Sequence, residues 1–382
     1  MKTVYEVPSD SARLFTLRRH HLIEPAKPEQ AVDVIDDILG LNAQGALNYQ
    51  LSLWSRVEGL DRGFIRRALT EEKTLVRSWL MRNTVHIVPS RSFPLVRAAL
   101  RESLMGEWNR WTVKTGSKED PKSWEKHYPE VLEALAQGQL TANEILAELE
   151  WSREKGKRIL HRVIREMSLK GLLCHASPSG PWYHDTEHTF SRVDKWLPGV
   201  DIDEIDRDEA KTRLVVGYLW GFGPASIRDF SYWTGMRVRD GGDFFKLVEG
   251  SIEEIRITGQ RASCYVLEED LSDLLDNDDI PSSARLLPQF DSLIMGHKDK
   301  ERFIDPSSKS KIFLPRADVA ATILLDGLVK GVWKMKREKK IWSLKIRAFE
   351  KLSEVDRSRV EGEVERLRKF TDFIIESKWE EV

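Results

Sequence analysis

Six basic residues, Arg153, Lys155, Lys157, Arg158, Arg162 and Arg165, fall within one stretch that reads as a helix. Such a cluster can offer its cationic groups to phosphate oxygens, a mode of binding that ignores sequence and weakens steeply with salt. Without an anionic partner, the same residues are a solvated helix face. Thr84 and His86 stand two apart in the β-like run NTVHIV, so their side chains share one face of a strand. A histidine there either supports a site or is a satisfied structural residue. His184 and His188, four apart with His175 nearby, invite a metal reading. They fall in a loop rather than on a helix and lack a ligand motif, so no metal is expected. Taken alone, Asn42 and Gln44 read as the polar start of a helix after Gly40, with Gln44 in its first turn. Neither a phosphate-cradling glycine loop nor a Ser-His-Asp arrangement is evident, and no cofactor is expected.

The elements that would position these groups are clearest from Thr141 onward. Thr141-Ala142-Asn143-Glu144 has the spacing of a capping box, which starts a short helix. After a break at Trp151-Ser152, a second helix spans residues 153–170, its buried stripe formed by Ile159, Leu160, Val163, Ile164 and Met167. Gly171 suits the left-handed turn that ends it. The runs LLCHA and PWYHD, separated by Ser177-Pro178-Ser179-Gly180, predict a hairpin. Helix, turn, basic helix and hairpin together make a winged helix, with Trp182 on its wing as a contact candidate.

A related pattern occupies residues 201–280. A helix runs from Arg207 to about Trp220, Pro224 is expected in the first turn of the next helix, and β-like segments follow from Ile252 to Val266. Residues 1–90 contain helices after Pro28, Gly45 and Gly59, then the β-like runs TLVRSW and NTVHIV, a further winged-helix-like unit. Residues 91–136 read as a helical connector, and 137–200 as the central winged helix. From 281 to 382 the chain turns β-rich, with a hairpin signal at Asp326-Gly327 and a helix over about Val355 to Phe373. The expected class is α+β: tandem winged-helix units with a C-terminal β-rich domain.

The 382 residues call for two to four cores, and 41% hydrophobic with 32% charged residues fits a globular chain. No apolar run could cross a bilayer, the N-terminus does not read as a secretory signal, and two cysteines support no disulfide framework. A cytoplasmic location without membrane contact is expected. The net charge of −2 argues against a simple polyanion binder, but the charge is segregated. Residues 151–170 hold seven Lys or Arg against two Glu, whereas 201–210 and 268–279 are strongly acidic. Of the 13 Trp, Trp54, Trp79, Trp220 and Trp333 sit among apolar neighbours and read as core.

The segment Leu41-Asn42-Ala43-Gln44, with LSLWSRVEGL and WLMRNTVHIVP, resembles the tandem winged-helix DNA-binding family that includes bacterial AlkZ-like and YcaQ-like DNA glycosylases. GFGPASIRDFSYWTG, LLPQFDSLIMGHKDKERFID and ILLDGLVKGVWKMKR extend the resemblance over about residues 10–350. Such glycosylases release alkylated bases, some of them crosslinked, using two polar residues that flank an apolar one. The resemblance places that motif on Asn42, Ala43 and Gln44, with Asn42 where the family has Gln. It also makes Thr84 and His86 supports of the site. Asp291 becomes a second catalytic candidate, with a turn or strand-end cap as its structural reading.

An N-alkylated purine is cationic, so its glycosidic bond is already weakened; the enzyme must stabilise the sugar cation and orient a water. An amide oxygen can accept a hydrogen bond from water and present the negative end of its dipole, although it is no general base near pH 7. Asn42 reaches about 1.5 Å less far than Gln, and misplacement of about 1 Å can cost about 100-fold in rate. The resemblance implies a monomer acting on double-stranded DNA that is alkylated or crosslinked. Lys155, Lys157, Arg158, Arg162 and Trp182 would form the DNA surface, with Arg56, Arg77 and Arg82 near the catalytic region as further phosphate ligands. The alternative is a non-catalytic DNA-binding damage sensor or transcriptional regulator on the same scaffold.

Overall fold

The computed structural model describes residues 4–114, 121–151, 153–276, 279–338 and 341–380; the side chains of 121–123 and 153–155 are also outside the described set. Helices and several antiparallel-rich sheets alternate in an α+β arrangement. No helix among the described residues is long and apolar enough to cross a membrane.

The capping box forms as its residue types dictate. Thr141 Oγ1 accepts from the Glu144 amide at 3.2 Å and Glu144 returns a bond to the Thr141 amide at 2.7 Å, starting the helix Ala142–Glu148. The basic helix follows at Arg153–Leu169, burying Leu160, Val163, Ile164 and Met167 along one stripe. Gly171 ends it at φ 79°, where a Cβ would lie 2.3 Å from Arg97 Cδ. The sequence-predicted hairpin is displaced, however: Leu173–His175 pairs with Thr189–Arg192, and PWYHD belongs to no strand. Trp182 stacks on Phe373 and Tyr183 meets the same ring edge-on instead of alternating across a sheet, and Ser179 closes the loop through bonds to Glu187.

A six-stranded sheet carries the site. Its order is Leu41–Asn42, Val85–Pro89, Leu75–Trp79, Leu173–His175, Thr189–Arg192 and Leu140–Thr141, with antiparallel neighbours throughout. Arg77 opposite His175 joins the strands of the first ninety residues to those that frame the basic helix. The long helix Phe93–Lys114 shares a core with Val76, Val88 and Leu173 of this sheet, burying Leu100, Leu104 and Trp108.

Asp206 caps the helix Arg207–Phe222, but Pro224 precedes the next helix rather than opening it. Ser226 is the cap there, with Asp229 completing a capping box for Ile227–Thr234. An unexpected helix follows at Val238–Lys246, in a stretch whose Gly241-Gly242 pair lowers helix propensity. Gly241 is used for close approach: a Cβ would meet Ser231 Oγ at 2.3 Å. Ile252–Ile257 then pairs antiparallel with Cys264–Leu267 and parallel with Tyr5–Val7.

The C-terminal five-stranded sheet turns at Asp326 and Gly327, φ 49° and 77°, as the sequence pair demands. The helix Glu354–Thr371 covers it. Its Val364 and Leu367 share a core with Leu286, Ile323 and Leu344 of the sheet, and with Ile35, Leu51 and Trp54 from the first sixty residues. The helix Ala46–Trp54, which begins just after Gln44, therefore rests on the far end of the chain.

Four buried histidines make this interior sensitive to acid. Desolvation lowers the pKa of His20, His86, His175 and His297, to about 3 for His86 and His297, with Arg82 adding to the effect at His86 and Arg302 at His297. The unfolded chain titrates these groups near 6.5, so it binds more protons than the folded chain between about pH 6.5 and 3. Their contribution to stability is present above that window and declines as pH falls through it. Denaturant midpoints should therefore drop steadily from pH 7 to pH 4.5; an unchanged midpoint would refute the neutral, buried assignment.

Candidate active site and nucleic-acid interface

Leu41 and Asn42 pair with Ile87 and His86, and the Ala43 amide continues the ladder by donating to the Val85 carbonyl at 2.8 Å. Ala43 is fully buried, and its carbonyl accepts from Arg77 Nη2 at 2.9 Å. Fixing the apolar middle residue in this way directs its two polar neighbours differently. Asn42 turns inward at 9% exposure, while Gln44 is exposed. The two amides remain linked. Asn42 Nδ2 donates to Gln44 Oε1 at 3.2 Å, and Asn42 Oδ1 accepts from the Gln44 main-chain amide at 3.2 Å. Since an amide oxygen has two acceptor positions, Gln44 Oε1 retains one for a further donor.

Gln44 lines a cleft of about 410 Å³ together with Trp79, Arg82, Asn83, Thr84, Glu107, Trp108, Trp111 and Arg165. This is the size of an ordinary small-molecule site, about 300–1,000 Å³. Its walls combine indole rings with two guanidinium groups, each held by a main-chain carbonyl: Arg82 Nη1 donates to Trp233 O at 2.9 Å and Arg165 Nη2 to Asn83 O. Arg165 also belongs to the basic helix, where Arg158 and Arg162 precede it at helical spacing on one face. Arg165 thus brings the basic helix to the wall of the cleft. Such an arrangement can receive a planar ring against aromatic walls while anionic groups meet the flanking charges.

Thr84 lines the cleft, its hydroxyl donating to Met81 O at 3.0 Å. His86 is 3% exposed and does not line it; Nδ1–H donates to the Thr84 carbonyl at 3.0 Å, so the neutral ring fixes the backbone behind the site. Lys157 and Arg158 are exposed, Arg162 is half-buried over the Trp124 ring, and the Lys155 side chain lies outside the described residues.

Four expectations need correction. Asp291 is sealed from the cleft, its carboxylate taken up by Arg56 at 2.7 and 2.8 Å, by Ser52 Oγ at 2.8 Å and by the Leu293 amide at 3.0 Å. Both partners of that ion pair have 0% side-chain exposure, so Asp291 meets no substrate and Arg56 meets no phosphate. Arg77 is 3% exposed and committed to Asp185 and the Ala43 carbonyl; it braces the motif rather than binding DNA. Trp182 stacks on Phe373 at 5.5 Å between ring centroids and pins its loop to the C-terminal region. Trp79 packs against the core as expected and also lines the cleft.

Glu107, Trp108 and Trp111 went unrecognised because residues 91–136 read as a connector. The signal was present: positions 107, 108 and 111 share one side of a helix, and two of them are Trp.

Comparison with known proteins identifies relatives of the chain and of its fold. Residues 35–370 match the family described as DNA glycosylase AlkZ-like. The "Interstrand DNA cross-link repair glycosylase" of Streptomyces sahachiroi is 25% identical over 334 residues, 83% of this chain and 85% of the relative. The solved structure of Streptomyces sahachiroi DNA glycosylase AlkZ matches with a TM-score of 0.82 at 21% identity, covering 98% of this chain and 100% of that one. With a shared fold from end to end and a family match over most of its length, this chain belongs to the AlkZ-like DNA glycosylase family.

Proposed function

We propose that this protein is a DNA-repair glycosylase that hydrolyses the N-glycosidic bond of cationic alkylated purines, including crosslinked ones. The observation that carries the reading is Gln44. Of the two amides in its motif, it alone lines the cleft, braced from behind by Asn42 and Ala43. In the reaction, the C1′–N bond breaks with its electron pair passing to the ring, which neutralises the base. The Gln44 carbonyl dipole faces the sugar cation and accepts a hydrogen bond from water, whose oxygen bonds C1′ and whose proton leaves to solvent. Asn42 acts as a positioning residue. The crosslink substrate is suggested by the name of the Streptomyces relative.

The DNA surface in this reading comes from tandem winged-helix units acting as a monomer in the cytoplasm. Units at residues 1–90, 137–200 and 201–280 flank the connector 91–136 and precede a β-rich region at 281–382. Lys157 and Arg158, on the face leading toward the cleft, serve as phosphate ligands. Their joint replacement by Glu should weaken duplex binding and reduce the salt slope by about two. An unchanged slope would remove them from the interface.

The activity itself is tested by incubating the protein with alkylated genomic DNA and identifying free bases by mass spectrometry. Release of 7-methylguanine or 3-methyladenine by wild type, and not by Gln44→Ala, supports the proposal. DNA binding without any base release would favour the damage-sensor reading.

A further inference from the structure

Gln44 owes its direction to the peptide that precedes it. That peptide is a rigid plane, with the Ala43 carbonyl on one side and the Gln44 amide on the other. Both are held: Arg77 Nη2 donates to the carbonyl at 2.9 Å, and the Gln44 amide donates to Asn42 Oδ1 at 3.2 Å. Asn42 belongs to the motif, but Arg77 needs help from elsewhere. Its side chain is 4% exposed, and a guanidinium taken out of water requires a counter-charge. Asp185 supplies it, Oδ2 accepting from Arg77 Nη1 at 2.7 Å. Two nitrogens of one planar fork thus join a carboxylate to a main-chain oxygen, and turning the fork at one end turns it at the other.

The second oxygen of Asp185 reaches the chain on the far side of Gln44. Tyr49, in the helix Ala46–Trp54, donates its hydroxyl to Oδ1 at 3.4 Å. Burial, with the Asp185 carboxylate beside it, pushes the Tyr49 phenol up, so it stays a donor. The Arg77 guanidinium also lies 5.7 Å from the Tyr49 ring centroid. Asp185 is therefore tied to the chain before and after Gln44 while standing outside the cleft. The loop that presents it, residues 176–188, is anchored independently. Arg66 donates to the carbonyls of Pro178 and Gly180 at 3.2 and 2.6 Å, and Arg337 Nη1 donates to the Tyr183 hydroxyl at 3.0 Å. None of these anchors uses Asp185, so the loop keeps its place when that residue is replaced.

We infer that Asp185 is a positioning residue for base release: it holds Arg77, Arg77 holds the Ala43 carbonyl, and the Ala43–Gln44 peptide so fixed sets where the Gln44 side chain stands in the cleft. A loop that touches no part of the cleft is in this way a component of the active site. The inference rests on the glycosylase reading of Gln44 and adds the residues that orient it.

The test separates rate from binding. Asp185→Asn keeps size and shape but removes the charge. With protein in excess over a duplex bearing one 7-methylguanine, it should slow single-turnover release by roughly 10–100-fold. Duplex affinity should stay within about twofold, since both partners are buried and meet no phosphate. Arg77→Gln should show the same pattern. The double variant Arg77→Gln/Asp185→Asn leaves no buried charge unpaired, so it decides the matter if either single variant fails to fold. It should be no slower than the slower single variant, because all three break one connection. Losses that multiply, or a wild-type rate in the folded double variant, overturn the inference even if Gln44→Ala abolishes catalysis. Hydrogen exchange supplies a reading independent of activity: the Gln44 amide should exchange roughly 10–100-fold faster in the double variant than in wild type. If wild type releases no base, the glycosylase reading fails, and an unchanged exchange rate at Gln44 would then also reject the positioning role of Asp185.

Discussion

Asp291→Ala should destabilise the folded chain by about 3–5 kcal/mol, because removing one member of a buried ion pair leaves the other charge without compensation. Arg56 and Asp291 both have 0% side-chain exposure. Loss of the carboxylate strands two guanidinium nitrogens, the Ser52 hydroxyl and the amide of Leu293, at the start of the helix Ser292–Met295. Those groups join the helix that follows Gln44 to a segment more than two hundred residues away, so the damage extends beyond one turn. The measurement is a denaturant titration followed by tryptophan fluorescence, with soluble yield as a second reading. A well-folded but inactive Asp291→Ala protein would instead restore the catalytic role suggested by family resemblance. Replacing Arg56 and Asp291 together by apolar residues should be milder than either single change, since no isolated charge remains.

The second large effect concerns Gln44. Removing one preorganised hydrogen-bonding group from a site of developing charge costs on the order of 10²–10³-fold in rate. Gln44→Ala should show a loss of this size in single-turnover base release, with duplex affinity nearly unchanged, because the exposed amide supports no core contact. Asn42→Ala should give a smaller, distinguishable defect. It leaves the Gln44 oxygen in place but removes the bond donated to that oxygen and the one accepted from the Gln44 main-chain amide, and looseness of about 1 Å can cost about 100-fold. The single-turnover rate should fall while binding persists, the pattern of a positioning residue. A merely structural Asn42 would lower stability without changing the rate of the folded fraction.

Local rules carried much of the fold. Thr141 and Glu144, three apart, are sufficient to specify a capping box, and Asp326-Gly327 supplies the two left-handed residues that a tight hairpin needs. The buried stripe on the basic helix follows from 3.6-residue periodicity alone. The failures have one physical origin: a polar or aromatic side chain does not announce its remote partner. Asp291 and Arg56 are 235 residues apart, and Arg77 and Asp185 are 108 apart. Asp291, Arg56 and Arg77 looked available for substrate or phosphate because their counter-charges were invisible in sequence. Trp182 and Tyr183 suggested a strand, yet they are spent against Phe373.

The candidate site divides in the same way. Gln44 was found through family resemblance, and its exposure beside the buried Ala43 explains why one amide reaches the cleft while the other holds it. The opposite wall was missed. Trp108 and Trp111 belong to a helix with little amphipathic contrast, and their importance emerges only when Arg165 is inserted from another helix between Trp79 and Trp108. Burial of His86 likewise became evident only with the sheet assembled around it. Its low pKa keeps the ring neutral at physiological pH, so it is not a proton donor there.

The most direct measurement places excess protein on a defined duplex bearing a single 7-methylguanine and quantifies both products in one turnover. Wild type should yield free base and an abasic site in equal amounts, and Gln44→Ala should yield neither at a comparable rate while still binding the duplex. Equal yields from the two proteins, or an intact glycosidic bond in duplex fully bound by wild type, would contradict the account.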